Sequence, residues 1–383
     1  MKPKRIVIIG PAWPYRGGIA TTNERFAKEF EAEGHQVKLV TFTLQYPSIL
    51  FPGSSQYATC ETPSLDIERS INSINPISWI KTGKSVATFN PDIVIIRYWI
   101  PFLSPAFGTI ARIIKTKSNA KVLLLADNII PHEKRFFDNI LTKYTVKHID
   151  GFLTMSSSVL KQLEQFDQTK PRKLSVHPLF DNYGEKVRRE ESIKKLGLNP
   201  QYRYILFFGF IRDYKGLDLL IEAFSYITDL DPNIRLLIAG EYYSKPDKYL
   251  SLIKSHNLQK KVELHTHFIG EDQVKYYFNA ADIVAQPYRS ATQSGVTQIA
   301  YHFEIPMLVT DVGGLSEIVP DKKVGYVVPT DPKDIANALS DFYLNNRFTS
   351  FVDNIKVEKK RYSWDKLTQA CYDVCQEITS REV

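Results

Sequence analysis

Residues 204–224 read YILFFGFIRDYKGLDLLIEAF. An unbroken apolar run of β-forming residues ends at Gly209, a polar loop follows, and from about Gly216 apolar residues recur at helical spacing. A buried strand, a glycine turn and a helix open a βαβ unit in a parallel sheet. Arg212 and Lys215 stand in the loop, beside the positive end of that helix. A forked guanidinium next to a compact ammonium predicts a grip for a diphosphate, with Gly209 leaving the backbone open to it. Surface loops also carry Arg and Lys without any ligand, and that plainer reading stands beside the first.

Outward from this segment the same alternation continues. IRLLIAG (234–240), KVELHTHF (261–268), ADIVAQP (281–287) and PMLVTDVG (306–313) read as further strands. Upstream, Arg5–Ile9, Val37–Thr41, Asp92–Ile96, Val122–Leu125 and Gly151–Met155 read as strands of an earlier sheet, with a helix over Asn23–Glu33. The expectation is an α/β chain with two Rossmann-like, doubly wound parallel-sheet domains. Turn-forming residues around His177–Pro200 mark the connection, giving domains at 1–182 and 183–360. A terminal helix over Trp364–Ile378, within 361–383, is expected to pack back on the first domain. Leu44–Trp79 shows no clear period and reads as a long functional loop or irregular insertion.

The length of 383 residues suits two cores, and 43% apolar with 24% charged residues is ordinary globular composition. The first apolar run is short and leads into glycine-rich sequence, so it reads as a strand and not as a signal peptide. Ile93–Ile114 is interrupted by Arg97, Pro101, Pro105 and Arg112, which argues against a membrane span. Three cysteines are too few for a disulfide framework, and a reduced, cytoplasmic protein is expected. Residues 1–180 hold 23 Lys and Arg against 14 Asp and Glu, a balance of +9, whereas residues 181–383 hold 26 against 28. This asymmetry points to an anionic partner on the first half, either a phosphorylated substrate or an anionic membrane surface. A solvated basic surface without a partner is the alternative.

Ligands of open parallel sheets bind at the carboxyl ends of strands. Gly17 and Gly18, after the first strand, would let a phosphate or sugar approach the start of a helix, although GxGxxG spacing is lacking. In PYRSATQSGVTQIAYHFEIPMLVTDVGG (287–314), Ser294 and Gly295 open a second anion-accepting helix, and Gly313 and Gly314 close the next strand. His132, in ADNIIPHEKRFF (126–137), follows a strand of the first domain and is a candidate for orienting a sugar or relaying a proton. His265 and His267 lack further ligands and Asp229 and Asp231 precede Pro232, so neither pair predicts a metal site. Cys371 and Cys375, one turn apart, read as packing of a helix face.

The segments RGGIATTNERFAKEFEAEGHQV (16–37), PHE (131–133), FFGFIRDYKGLDLLIEAF (207–224), SATQSGVTQIAYHFEIPMLVTDVGGLSEIV (290–319) and the terminal helix after RYSW (361–364) together resemble family 4 of the retaining glycosyltransferases. That resemblance covers most of the chain and implies a GT-B fold, with the two domains facing a cleft. It implies that the second domain holds a UDP- or GDP-linked sugar and the first a glycan or lipid-linked acceptor. Arg212, Lys215 and His132 would be the catalytic set, with Arg212 and Lys215 neutralising the leaving diphosphate so that no metal and no other cofactor is required. Gly17, Gly18, Gly209, Ser294, Gly295, Val296, Gly313, Gly314 and Glu317 would bind the donor. The chain departs from the family at three places. Ala291 and Ile299 stand where many members carry a pair of glutamates, Phe210 replaces the arginine after the strand glycine, and Asp127 lies near the usual position of the histidine that His132 would replace.

The expected activity is retaining sugar transfer in cell-surface polysaccharide or glycolipid synthesis, at the inner face of a membrane and without nucleic acid. A nucleotide-sugar epimerase of the same fold, and a non-catalytic nucleotide-sugar-binding protein, are the other readings.

Overall fold

The computed structural model describes residues 2–47, 56–57, 62–130, 136–291 and 294–382. The chain forms two compact units, Met1–Pro178 with Ser363–Val383, and Leu179–Tyr362. The breaks differ from the composition-based boundaries by two to four residues for a local reason. Leu179 N–H bonds the Tyr362 carbonyl at 2.9 Å, and Phe180 packs where a side chain on Gly295 would stand, so both belong with the second unit.

The first unit runs β1 (Arg5–Ile9), α1 (Gly18–Ala32), β2 (Gln36–Leu44), β3 (Ile67–Asn72), α2 (Pro76–Thr88), β4 (Ile93–Tyr98), α3 (Ser104–Lys117), β5 (Lys121–Ala126), α4 (Asp138–Lys147), β6 (Gly151–Thr154), α5 (Ser157–Leu163) and β7 (Arg172–Leu174). Its strands are all parallel, in the order β3-β2-β1-β4-β5-β6-β7. The β-branched runs of β1 and β4 are buried on both faces, as a doubly covered parallel sheet demands. Val7, Ile9, Val94 and Ile96 pack under α2, α3 and α4, with Val86, Phe107, Ile110 and Val146. On the opposite face Ile6, Ile8, Ile93 and Ile95 meet Phe26 and Phe30 of α1 and Trp364, Leu367, Cys371 and Val374 of the terminal helix, Trp364–Glu382.

Two expectations are corrected here. Leu44–Trp79 is not wholly irregular: β3 pairs with β2 as an edge strand, and α2 begins at Pro76. Residues 48–55 and 58–61 of that stretch lie outside the described residues. IERSIN hid its strand because, at an edge, only Ile71 is fully buried and the alternation is blurred. The helix expected from Asn23 starts at Gly18 instead, since Gly17 with φ 117° is its cap.

The second unit runs α6 (Arg189–Leu196), β8 (Arg203–Phe208), α7 (Leu217–Ile227), β9 (Ile234–Ala239), α8 (Asp247–Ser255), β10 (Val262–His265), α9 (Glu271–Ala280), β11 (Ile283–Gln286), α10 (Gly295–Phe303), β12 (Met307–Thr310), α11 (Leu315–Ile318), β13 (Gly325–Val328), α12 (Pro332–Leu344) and α13 (Phe348–Glu358). Its parallel sheet is ordered β10-β9-β8-β11-β12-β13. From β8 the chain winds to one side through β9 and β10, then returns to the other side at β11. The strand order therefore reverses between β8 and β11, and the crevice that such a reversal opens at the carboxyl ends of strands is where open α/β sheets bind ligands.

Candidate functional site

The turn after β8 carries Arg212 and Lys215, and the turn after β11 carries Ser294, so both flank the reversal point of the second sheet. Gly209 has φ 97°, a left-handed conformation that suits glycine, and turns the chain out of β8. A Cβ there would stand 3.0 Å from Lys215 Nζ and 3.9 Å from Val296 Cγ2, which places three of the expected site residues around one point. Residues 213–215 form a single 3-10 turn closed by Gly216. Gly216 has φ 66°, and a side chain on it would collide with the Pro287 carbonyl at 2.0 Å. That close approach brings the Lys215 loop against the segment leaving β11.

Lys215 is only 9% exposed, and its Nζ lies 5.5 Å from the Tyr288 ring centre. Arg212 is exposed and rests on Tyr243, with Cζ 5.0 Å from the ring centre. Among the described residues neither cation is paired with a carboxylate. The two nearby acids are engaged elsewhere: Asp218 holds Arg289 in a fork at 2.8 and 2.9 Å and Lys248 at 3.0 Å, and Asp213 accepts from Tyr249 at 3.2 Å. Burial pushes the Lys215 ammonium below its ordinary value; Tyr214 opposes that and the Arg212 charge adds to it. A buried cation without a counter-ion costs stability, and an incoming anion removes that cost.

Beside Lys215, Ser294 caps α10. Its Oγ accepts from Val296 N–H at 3.2 Å and donates to Gln286 Oε1 at 2.6 Å, while the Tyr288 hydroxyl lies 3.4 Å away. Thr310 Oγ1 fixes the Tyr288 carbonyl at 2.5 Å. The carboxyl ends of β11 and β12 and the start of α10 are thus tied together by polar side chains. Gly313 and Gly314 form the turn after β12, and Glu317 is exposed on the four-residue α11. Ile299 is buried in α10, and Ala291 has only a methyl group, so neither position offers a carboxylate. Phe210 packs against Tyr243 with ring centres 4.5 Å apart and the rings tilted by 52°, leaving the cationic role in that loop to Arg212. Tyr243, Tyr288 and Gln286 were not legible as site residues, because their roles come from contacts between strand ends distant in sequence.

In the first unit, Gly17 and Gly18 are exposed at the start of α1. His132 lies outside the described residues. Asp127, near the family's histidine position, forms a buried bidentate pair with Arg97 at 2.6 and 2.6 Å. Arg97 is 1% exposed, and its Nη1 has no hydrogen-bond partner among the described residues. His177 is buried close by, and burial, then the Arg97 charge, holds it down at about 4. The unfolded chain takes up that proton near pH 6.5, whereas the folded one waits until about 4, so folding loses stability as pH falls through that window. His177→Gln is expected to flatten the decline of melting temperature over this range; a slope equal to that of the parent protein would refute the assignment.

Residues 188–360 match the family model for glycosyl transferases group 1, and residues 16–180 match that for glycosyltransferase family 4. An uncharacterised glycosyltransferase of Methanocaldococcus jannaschii is 24% identical over 96% of each chain. The fold superposes on sucrose-phosphate synthase from Thermosynechococcus elongatus with a TM-score of 0.76 at 16% identity, covering 99% of this chain and 100% of that one. HepE of Anabaena, solved in complex with UDP-glucose, gives 0.72 at 14% identity, covering 98% and 100%. With both halves matched by these models and the paired parallel sheets matching GT-B structures, the chain belongs to the group 1, family 4 type of glycosyltransferases.

Proposed function

We propose that the protein transfers a sugar, with retention at the anomeric carbon, from a nucleoside-diphosphate sugar to a glycan or lipid-linked acceptor. The observation that carries this reading is Lys215: a buried ammonium without a carboxylate partner, at the Gly209 turn and beside the first turn of α10. As the glycosyl–phosphate bond breaks, negative charge gathers on the departing diphosphate. Lys215 and Arg212 would stabilise that charge in a partly dehydrated setting, where fixed cations act most strongly. The Ser294–Val296 turn would add backbone N–H groups at a helix start. The similarity to HepE, solved with UDP-glucose, supports uridine as the first base to test.

With two cations already in place, the diphosphate does not depend on a divalent ion for neutralisation. Calorimetric titration with UDP, GDP and ADP, in chelator and again in magnesium, is expected to show one nucleotide binding equally in both. Absence of binding to all three would overturn the donor reading, and binding only with magnesium would overturn the metal-independent one. Turnover assays then ask for transfer that requires an acceptor; epimer formed without one would contradict the transfer chemistry.

A further inference from the structure

We propose that Arg289 is a positioning residue for sugar transfer: it latches the turn that carries Lys215 and so sets where that ammonium stands against a diphosphate. This rests on the reading of Lys215 given above and adds to it the group that holds the lysine in place.

Residues 213–215 make a single 3-10 turn between β8 and α7. So short a turn has few hydrogen bonds of its own, and their geometry is poor. Lys215 N–H reaches the Arg212 carbonyl at 3.0 Å, and Gly216 N–H reaches the Asp213 carbonyl at 3.2 Å. Further order is imposed by the segment that leaves β11. The Arg289 main-chain N–H donates to the Tyr214 carbonyl at 2.7 Å, and its Nη1 donates to the Asp213 carbonyl at 3.0 Å. One residue thus fixes the carbonyls of the two residues that precede Lys215.

The guanidinium is itself held on the far side of the lysine. Its Nη1 and Nη2 meet the two oxygens of Asp218 at 2.8 and 2.9 Å, and Asp218 lies in the first turn of α7. The turn is therefore gripped both before and after Lys215. From α8, Lys248 reaches Asp218 at 3.0 Å and Asp213 at 3.4 Å, and the Tyr249 hydroxyl donates to Asp213 at 3.2 Å. The segment after β11, the 3-10 turn, α7 and α8 converge on this one polar cluster.

The same contacts separate positioning from direct binding and from stability. Both terminal nitrogens of Arg289 are committed to the protein, and the Asp218 carboxylate neutralises the charge. The side chains of the pair are 39% and 15% exposed, and an ion pair this close to water contributes little to stability. Its fork nevertheless fixes direction, which a single contact does not. A charge displaced by about 1 Å from its working position loses much of its effect on a reaction.

Calorimetric titration of UDP, GDP and ADP into the full chain, in chelator, tests this. Arg289→Lys keeps the charge and the main-chain N–H, but its one nitrogen cannot serve Asp218 in a fork and the Asp213 carbonyl together. It is expected to weaken whichever nucleotide the parent protein binds at least roughly tenfold, while melting falls by about 2–4 °C at most. Asp218→Asn is expected to weaken binding in the same direction. Lys215→Met weakens binding by itself; adding Arg289→Lys to it is expected to change affinity by no more than about twofold, yet to lower melting as much as in the parent. A merely structural Arg289 would lower affinity in both backgrounds alike. Parent-like affinity in Arg289→Lys or in Asp218→Asn, or a loss that adds in full to that of Lys215→Met, would overturn the latch and leave the reading of Lys215 standing. Unchanged affinity in Lys215→Met, or no nucleotide bound by the parent protein, would overturn that reading and the latch with it.

Discussion

Replacing Lys215 by Met is expected to lower kcat/KM for the sugar donor by about a hundredfold or more while raising the melting temperature of the second unit by a few degrees. The two changes have opposite signs because one group serves both. In the free protein the Lys215 ammonium is buried, has no carboxylate partner among the described residues and is held below its ordinary ionisation range by desolvation, so an apolar side chain of similar length relieves a cost. On the proposed reading the same charge would face the departing diphosphate in the transition state, and losing one such fixed electrostatic contact typically costs 10²–10³ in rate. Methionine is the informative choice, since alanine would also open a cavity and mix a packing loss into the result. Thermal unfolding and steady-state kinetics on one preparation decide the matter. A fall in melting temperature with unchanged turnover would mean that Lys215 is merely structural.

Asp127→Ala is expected to be the most destabilising single change in the first unit. It leaves Arg97, 1% exposed, without the carboxylate that meets two of its nitrogens at 2.6 Å. Removing one partner of a buried pair costs about 3–5 kcal/mol. For a unit of this size that is a drop of roughly 6–20 °C. Replacing both partners, Arg97→Met with Asp127→Leu, is expected to recover most of the loss, because the penalty belongs to the orphaned charge. Equal melting of the single and double variants in calorimetry would contradict that account.

The parallel-sheet pair was legible because strands such as IVII and YILF are apolar on both faces, a pattern that few other elements produce. The turn that carries Arg212 and Lys215 was legible because strand, glycine, polar loop and helix start are contiguous in sequence. What escaped was set by contacts across sequence. IERSIN pairs along an edge and buries one face weakly; RKL and GYVV are too short to show a period. Tyr288 enters the site through Thr310, a residue of the neighbouring strand. The Arg97–Asp127 pair joins adjacent strands β4 and β5, at positions thirty residues apart. Ile299 was legible as a departure from the family, and the structure finds that position buried.

The terminal helix changes the order in which this protein can be made. Trp364, Leu367, Cys371 and Val374 cover Ile6, Ile8, Ile93 and Ile95, yet they leave the ribosome only after the whole of Leu179–Tyr362. The second unit is therefore an insertion that is complete while the first still has part of one side of its sheet, the part that α1 does not cover, open to water. During synthesis the earlier half of the chain is the last to finish folding, and a nascent chain halted before Trp364 would expose a strip of isoleucines that chaperones or neighbouring chains would find first.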